Sequence, residues 1–177
     1  MRFSFPALVV MGVAGCGKSS IAASIVRHGG GVLIEGDDFH PPANHEKMSN
    51  GIPLTDEDRA GWLARLGEEL ARAVRAGDHP VLACSALKRA YRDQLRAAVP
   101  ELGVVFLELS REEAEARMRN RTGHFMPTSL IDSQFATLEL PHDEPRTLVV
   151  DARLSIDELG RQASDWWLAS GDRDRGN

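Results

Sequence analysis

The residues Gly12-Val13-Ala14-Gly15-Cys16-Gly17-Lys18-Ser19 follow the pattern glycine, four residues, then Gly-Lys-Ser. That spacing suits a backbone that wraps an anion. Glycines permit the angles that turn successive N–H groups inward, and a helix starting where the loop ends adds its positive pole. Lys18 brings a mobile ammonium to the outer phosphates of a nucleoside triphosphate. Ser19 brings a hydroxyl for Mg²⁺ bridging the β and γ phosphates. Gly12, Val13, Ala14, Gly15, Cys16, Gly17, Lys18, Ser19 and Ser20 are therefore read as the contacts of a nucleotide's phosphates. Cys16 is expected to be a small filler of the loop.

Carboxylates come next, in Glu35-Gly36-Asp37-Asp38. Transfer of a phosphoryl group to an alcohol needs a carboxylate within hydrogen-bond reach of the attacking hydroxyl, with others holding metal-bound water. Asp37 takes the first role and Glu35 the second, supporting Mg²⁺ through water. A GTP switch would carry an Asn-Lys-x-Asp tetrad, and the chain has none. Motor and transporter ATPases end an inner strand on a carboxylate, whereas the corresponding run here ends Ala83-Cys84-Ser85. The pattern suits a phosphotransferase. Among 21 basic residues, Lys18, Lys47 and Lys88 are the only lysines. Where surface positions take Arg, a remaining Lys marks a place for a compact ammonium, and Lys88 is placed to meet a substrate. Arg117 and Arg121, four apart on one helix face, are the arrangement by which a lid delivers guanidinium groups to transferring phosphoryl oxygens.

The elements that must position these groups alternate. Ala7–Met11, Val32–Glu35, Pro80–Ser85, Val104–Leu109 and Thr147–Asp151 each read as a buried strand. Ser19–Arg27 and Asp58–Ala76 carry helical apolar stripes. Strands alternating with helices predict an α/β fold, a mostly parallel sheet covered on both faces, with ligands outside the carboxyl ends of the strands. Asp38–Thr55 and Thr122–Pro127 read as loops that close over a ligand.

At 177 residues the chain fits one domain, taken as 1–170, with a lid at about 117–130 and a frayed tail at 171–177. A composition of 42% hydrophobic and 27% charged residues supports a packed core and excludes a disordered chain. The net charge of −5 lacks the field that binds nucleic acid without regard to sequence. Cys16 and Cys84 have no paired or metal-like spacing. No run approaches the roughly 18 apolar residues of a membrane span, and a cytoplasmic location is expected.

Several motifs together resemble the small gluconokinases. They are Glu35-Gly36-Asp37-Asp38-Phe39-His40-Pro41, Asn44-His45-Glu46-Lys47-Met48, Gly51 through Arg59, Cys84-Ser85-Ala86-Leu87-Lys88, Tyr91-Arg92, Gly123-His124-Phe125 and Gln134 through Glu139. The resemblance spans roughly Leu8 to Ala152. It implies ATP- and Mg²⁺-dependent phosphorylation of D-gluconate at its 6-hydroxyl, giving 6-phospho-D-gluconate and ADP, by a cytosolic homodimer. It also implies the three-layer P-loop kinase fold, a five-stranded parallel sheet with a mobile lid. His40, Arg59, Lys88, His124 and Gln134 fall to the sugar-acid pocket or its closing edge, beside Asp37. Glu35 stands where that family commonly has Asp. The alternatives are a related small-molecule kinase, of shikimate or another sugar acid, and a nucleotide-binding regulator without turnover.

Overall fold

The computed structural model describes residues 2–120 and 128–169. In chain order the elements are β1 (Leu8–Met11), α1 (Lys18–Gly29), β2 (Val32–Glu35), a 3-10 turn (Gly36–Phe39), α2 (Pro42–Ser49), α3 (Asp56–Arg75) and β3 (Pro80–Ala83). They continue with α4 (Arg89–Ala98), β4 (Gly103–Glu108), α5 (Arg111–Arg119), α6 (Thr128–Thr137), β5 (Thr147–Asp151) and α7 (Ile156–Ala169). The strands form one five-stranded sheet in the order β2-β3-β1-β4-β5. Every pairing is parallel, with Val9 opposite Leu82 on one side and Val104 on the other.

Alternation along β1 sorts its side chains between two cores. Leu8 and Val10 join Ile21, Ile25, Leu159 and Trp167 on the face covered by α1 and α7. Val9 and Met11 join Trp62, Leu66, Leu70 and Leu95 on the face covered by α3 and α4. Helix α3 opens with a capping box, in which the Thr55 side chain accepts from the Asp58 N–H while the Asp58 carboxylate accepts from the Thr55 N–H. Its buried stripe includes Leu63, Leu66 and Leu70. Burying each leucine contributes roughly 2 kcal/mol, which outweighs the roughly 1 kcal/mol that each of Gly61 and Gly67 costs a helix interior.

Helices α1 and α7 approach until their backbones nearly touch. A Cβ added at Gly160 would lie 2.0 Å from Ser24 Oγ and 2.9 Å from the Ser24 carbonyl carbon. One added at Gly29 would lie 2.4 Å from Ser164 Oγ. Serine on each helix thus faces glycine on the other.

Two expectations need correction. The strand Val32–Glu35 is not buried, because β2 is an edge strand: Val32 and Leu33 are 38% and 43% exposed. The segment Asp38–Thr55 is not simply a loop, since it contains the 3-10 turn and the eight-residue helix α2. Pro42 sits in the first turn of α2, where a missing N–H removes no helical bond. The lid expected at about 117–130 is described only at its two ends, the end of α5 and the start of α6. Its middle, residues 121–127, lies outside the described residues, as does the tail from 170 onward.

Candidate active site

The carboxyl ends of β1, β2 and β3 open into a cleft of about 290 Å³. The β1–α1 loop forms one wall, the β2 end and the following turn the floor, and α2 with Ile52, Pro53 and Leu54 the opposite side. Gly17, at φ 94°, occupies the N-cap position of α1 in the left-handed region and brings no side chain to cap the first turn. Gly15, Gly17, Lys18, Ser19 and Ser20 all line the cleft. Gly12 is required sterically as well, since a Cβ there would lie 2.7 Å from Cys16 Sγ and 3.1 Å from the Leu107 carbonyl oxygen. Cys16 is buried and fills the loop from within.

Lys18 Nζ donates to the carbonyls of Gly12 and Val13, both at 3.1 Å. The N–H of Ala14 donates to Gln134 Oε1 at 2.6 Å, so α6 grips the loop directly. Arg117 stands behind the loop, reaching the carbonyls of Gly15 and Cys16 at 3.4 Å and of Ala152 at 2.6 Å. It is not among the cleft-lining residues. Ser19 Oγ donates to Glu35 Oε2 at 2.5 Å. This pairs a hydroxyl with a carboxylate at the first turn of α1, an oxygen-only donor set of the kind Mg²⁺ takes. Among the described residues no group of three or more His, Cys, Asp or Glu gathers to hold a metal.

Asp37 and His40 face each other across the 3-10 turn, with His40 Nε2 3.8 Å from Asp37 Oδ1. The His40 ring stacks on Trp62 at 3.9 Å between centroids and 16° between planes. Trp62 is anchored by its Nε1–H to the Gly36 carbonyl at 2.8 Å. Burial drives the His40 pKa down to about 4, overriding the Asp37 carboxylate, which raises it; His45 and Arg59 lower it further. The ring is therefore neutral near pH 7. Arg59 lines the cleft and donates to the Leu54 carbonyl at 2.8 Å and to the Tyr91 hydroxyl at 3.3 Å. Lys88 lies just outside the cleft lining, where it donates to the Asp56 carboxylate at 3.0 and 3.2 Å and sits over the Tyr91 ring. Tyr91 also donates to Asp56. Lys47 pairs with Asp58 at 2.8 Å, and this bond with the Thr55 N–H holds the Asp58 carboxyl near a pKa of about 2. Cys84 lines the cleft floor, but burial raises its thiol pKa to about 12, so it is no nucleophile.

The cleft thus gathers Lys18, Ser19, Glu35, Asp37, His40, Arg59 and Gln134, all singled out in the sequence. Arg121 and His124, also singled out, lie outside the described residues. Sequence reasoning gave no role to Asn44, whose amide meets His40, or to Asp56. The spacing of four between His40 and Asn44 was the available clue, but nothing marked the turn and helix that make it a contact.

A family model described as an AAA domain matches residues 8–141. The gluconokinase of Gluconobacter oxydans is 52% identical over 164 residues, covering 89% of this chain and 92% of that protein. The thermosensitive gluconokinase of Escherichia coli is 41% identical over 162 residues, covering 91% and 87%. Among solved structures, a gluconokinase from Sinorhizobium meliloti superposes with a TM-score of 0.85 at 49% identity, covering 94% of this chain and 93% of that one. The APS kinase CysC of Mycobacterium tuberculosis, at 22% identity with a TM-score of 0.66 and covering 90% and 95%, shares the fold.

Proposed function

The chain belongs to the gluconokinase family, and on that premise we propose how its own residues divide the work of ATP-dependent phosphorylation of gluconate. The chain is a kinase, with ATP as donor and gluconate as acceptor. The observation that carries the reading is one cleft lined both by the β1–α1 loop and by a carboxylate, a neutral histidine and an arginine. A shikimate or other sugar-acid kinase, or a regulator without turnover, has no observation of its own in its favour.

In this proposal the amides of residues 12–20 bind the triphosphate tail, and Lys18 exchanges the Gly12 and Val13 carbonyls for phosphate oxygens. The Ser19 hydroxyl would hold Mg²⁺ directly and Glu35 would hold it through water, a role its pairing with Ser19 supports. Bound there, the ion would neutralise charge on the phosphates. Asp37 orients the attacking 6-hydroxyl and accepts its proton. Arg59 grips the gluconate carboxylate, which a neutral His40 cannot do, and His40 donates to the polyol. Gln134 keeps the loop in register from α6. Lys88 and His124 close the sugar-acid side. Neutralising the transferring group is assigned to Arg117 and Arg121. Arg117 takes that role only by releasing its three carbonyls. The proposal further takes residues 1–170 as one domain closing over the cleft at about 117–130, in a cytosolic homodimer.

A substrate panel tests the reading. ADP release with gluconate should far exceed that with shikimate and other sugar acids, and phosphorus NMR of the product should place the phosphate on the primary alcohol. Background turnover with gluconate beside rapid turnover of another hydroxy acid would overturn it.

A further inference from the structure

Helix α2 brings one buried polar side chain to the back of the cleft, and its hydrogen bonds fix the state of the histidine in front of it. Asn44 is 3% exposed. Its amide nitrogen donates to the Asp58 carbonyl at 3.0 Å and lies 3.2 Å from His40 Nδ1. A carbonyl only accepts, so the amide must present its NH₂ to Asp58, and this sets which way the side chain is turned. The second hydrogen of the same NH₂ then meets Nδ1, which must be the bare ring nitrogen. The proton of neutral His40 is thereby left on Nε2, the atom nearest Asp37. Stacking on Trp62, itself tied to the Gly36 carbonyl, fixes the plane of the ring, and within that plane the flipped ring would turn a C–H, which accepts nothing, toward the Asn44 amide.

We propose that Asn44 is a positioning residue of the phosphotransfer site, holding His40 as the neutral, Nε2-protonated tautomer so that the ring offers an N–H donor to a substrate hydroxyl beside Asp37. The identity of the hydroxyl rests on the gluconokinase reading; the tautomer does not. At 3.8 Å the imidazole and carboxylate are too far apart for a direct hydrogen bond, so the Nε2–H remains available to a bound polyol. The charged and titratable groups facing the ring are Asp37 from the 3-10 turn, His45 edge-on from α2 and Arg59 from α3. Two of these oppose protonation, as does burial, and the carboxylate does not prevail. The donor is therefore constant across the pH range in which an ordinary histidine would titrate. A polyol recognised this way is bound by a hydrogen bond, leaving the carboxylate end to a permanent cation.

The test uses the full chain labelled with ¹⁵N-histidine and long-range ¹H–¹⁵N spectra. In the wild type, His40 should show an unprotonated nitrogen at Nδ1 and a protonated one at Nε2, unchanged from about pH 8 to about pH 5. In Asn44→Asp the new carboxylate draws the ring proton to Nδ1, so that above the raised ring pKa the neutral ring has a bare Nε2 and no longer donates. With one substrate hydrogen bond lost, KM for gluconate should rise about tenfold and become pH-dependent while KM for ATP stays within about twofold. Were Asn44 acting through His40, Asn44→Asp placed in a His40→Gln background should change KM for gluconate by less than about twofold. Should Asn44→Asp fail to fold, Asn44→Ser, which removes the contact without adding charge, carries the same comparison. A wild-type proton on Nδ1, a His40 titration near 6.5, an equal rise in both KM values, or an unchanged KM for gluconate in a folded variant overturns the proposal. Failure of the gluconokinase reading would appear separately, as a wild type that does not turn over gluconate while the His40 spectrum stays as described.

Discussion

Lys18 donates to two carbonyls of its own loop. Removing the ammonium leaves the fold intact but takes away a charge the transferring group needs. Lys18→Ala is expected to lower kcat by about a hundredfold or more, the cost of losing one pre-placed electrostatic partner, with an unchanged melting curve as the control. Arg59 has an equally defined post, fixed by the Leu54 carbonyl and Tyr91. Arg59→Ala should raise KM for gluconate by roughly 10- to 100-fold, as for loss of a charged hydrogen bond, and initial rates at saturating ATP will measure it. Lys18 was legible in the sequence because the phosphate loop is contiguous and each position has its own chemical reason, whereas Arg59 was reached only through the resemblance of its motif. Asn44 was not, since its meaning depends on Asp58, fourteen residues on.

At the level of elements, the loop between β3 and α4 is held from behind by Arg92. Its guanidinium donates to the carbonyls of Ala86 and Leu87 at 2.8 and 3.0 Å, to that of Glu139 at 2.9 Å, and to the Glu144 carboxylate at 2.8 and 2.5 Å. Ala86, with φ 43°, is held in the left-handed region at this point. Burial pushes the Glu144 carboxyl up, but the hydrogen bonds and charges of Arg92 and Arg96 outweigh it and leave the pKa below its ordinary 4.5. A carboxyl depressed in the folded state stabilises above its unfolded pKa and loses that stabilisation as pH falls through the folded value. Acid unfolding should accordingly begin below about pH 4.5 in the wild type, and chemical denaturation of Glu144→Gln should show a flatter pH dependence with a loss of about 3–5 kcal/mol at pH 7. None of this was legible: Arg92 and Glu144 are 52 apart in sequence and both look like surface residues there. Helix α2 escaped for a different reason. Its only buried residue is Asn44, so it has no apolar stripe to reveal it, and its leading prolines read as a breaker.

On the scale of the whole molecule, the sheet was legible from β-branched runs alternating with amphipathic helices, and the five strands fall within a residue or two of their expected bounds. What periodicity did not give was strand order, which turns β2 into an exposed edge. Because the cleft draws its walls from α1 and the loop before it, β2, β3, α2, α3 and α6, a ligand seated there should stabilise the molecule as one body. ATP at about 100 times its Kd should add about 2.7 kcal/mol to the unfolding free energy, and calorimetry should show one transition moving upward rather than a second one appearing. The glycine–serine crossing of α1 and α7 carries a more distant consequence. The helix that begins at Lys18 packs against α7, so α7 is the plinth of the phosphate site although none of its residues lines the cleft. A single methyl at Gly160 has nowhere to go and must tilt that plinth, at about 1–3 kcal/mol of overpacking. Gly160→Ala should therefore weaken the grip on nucleotide while sparing the grip on the sugar acid, a selective lesion delivered from beneath.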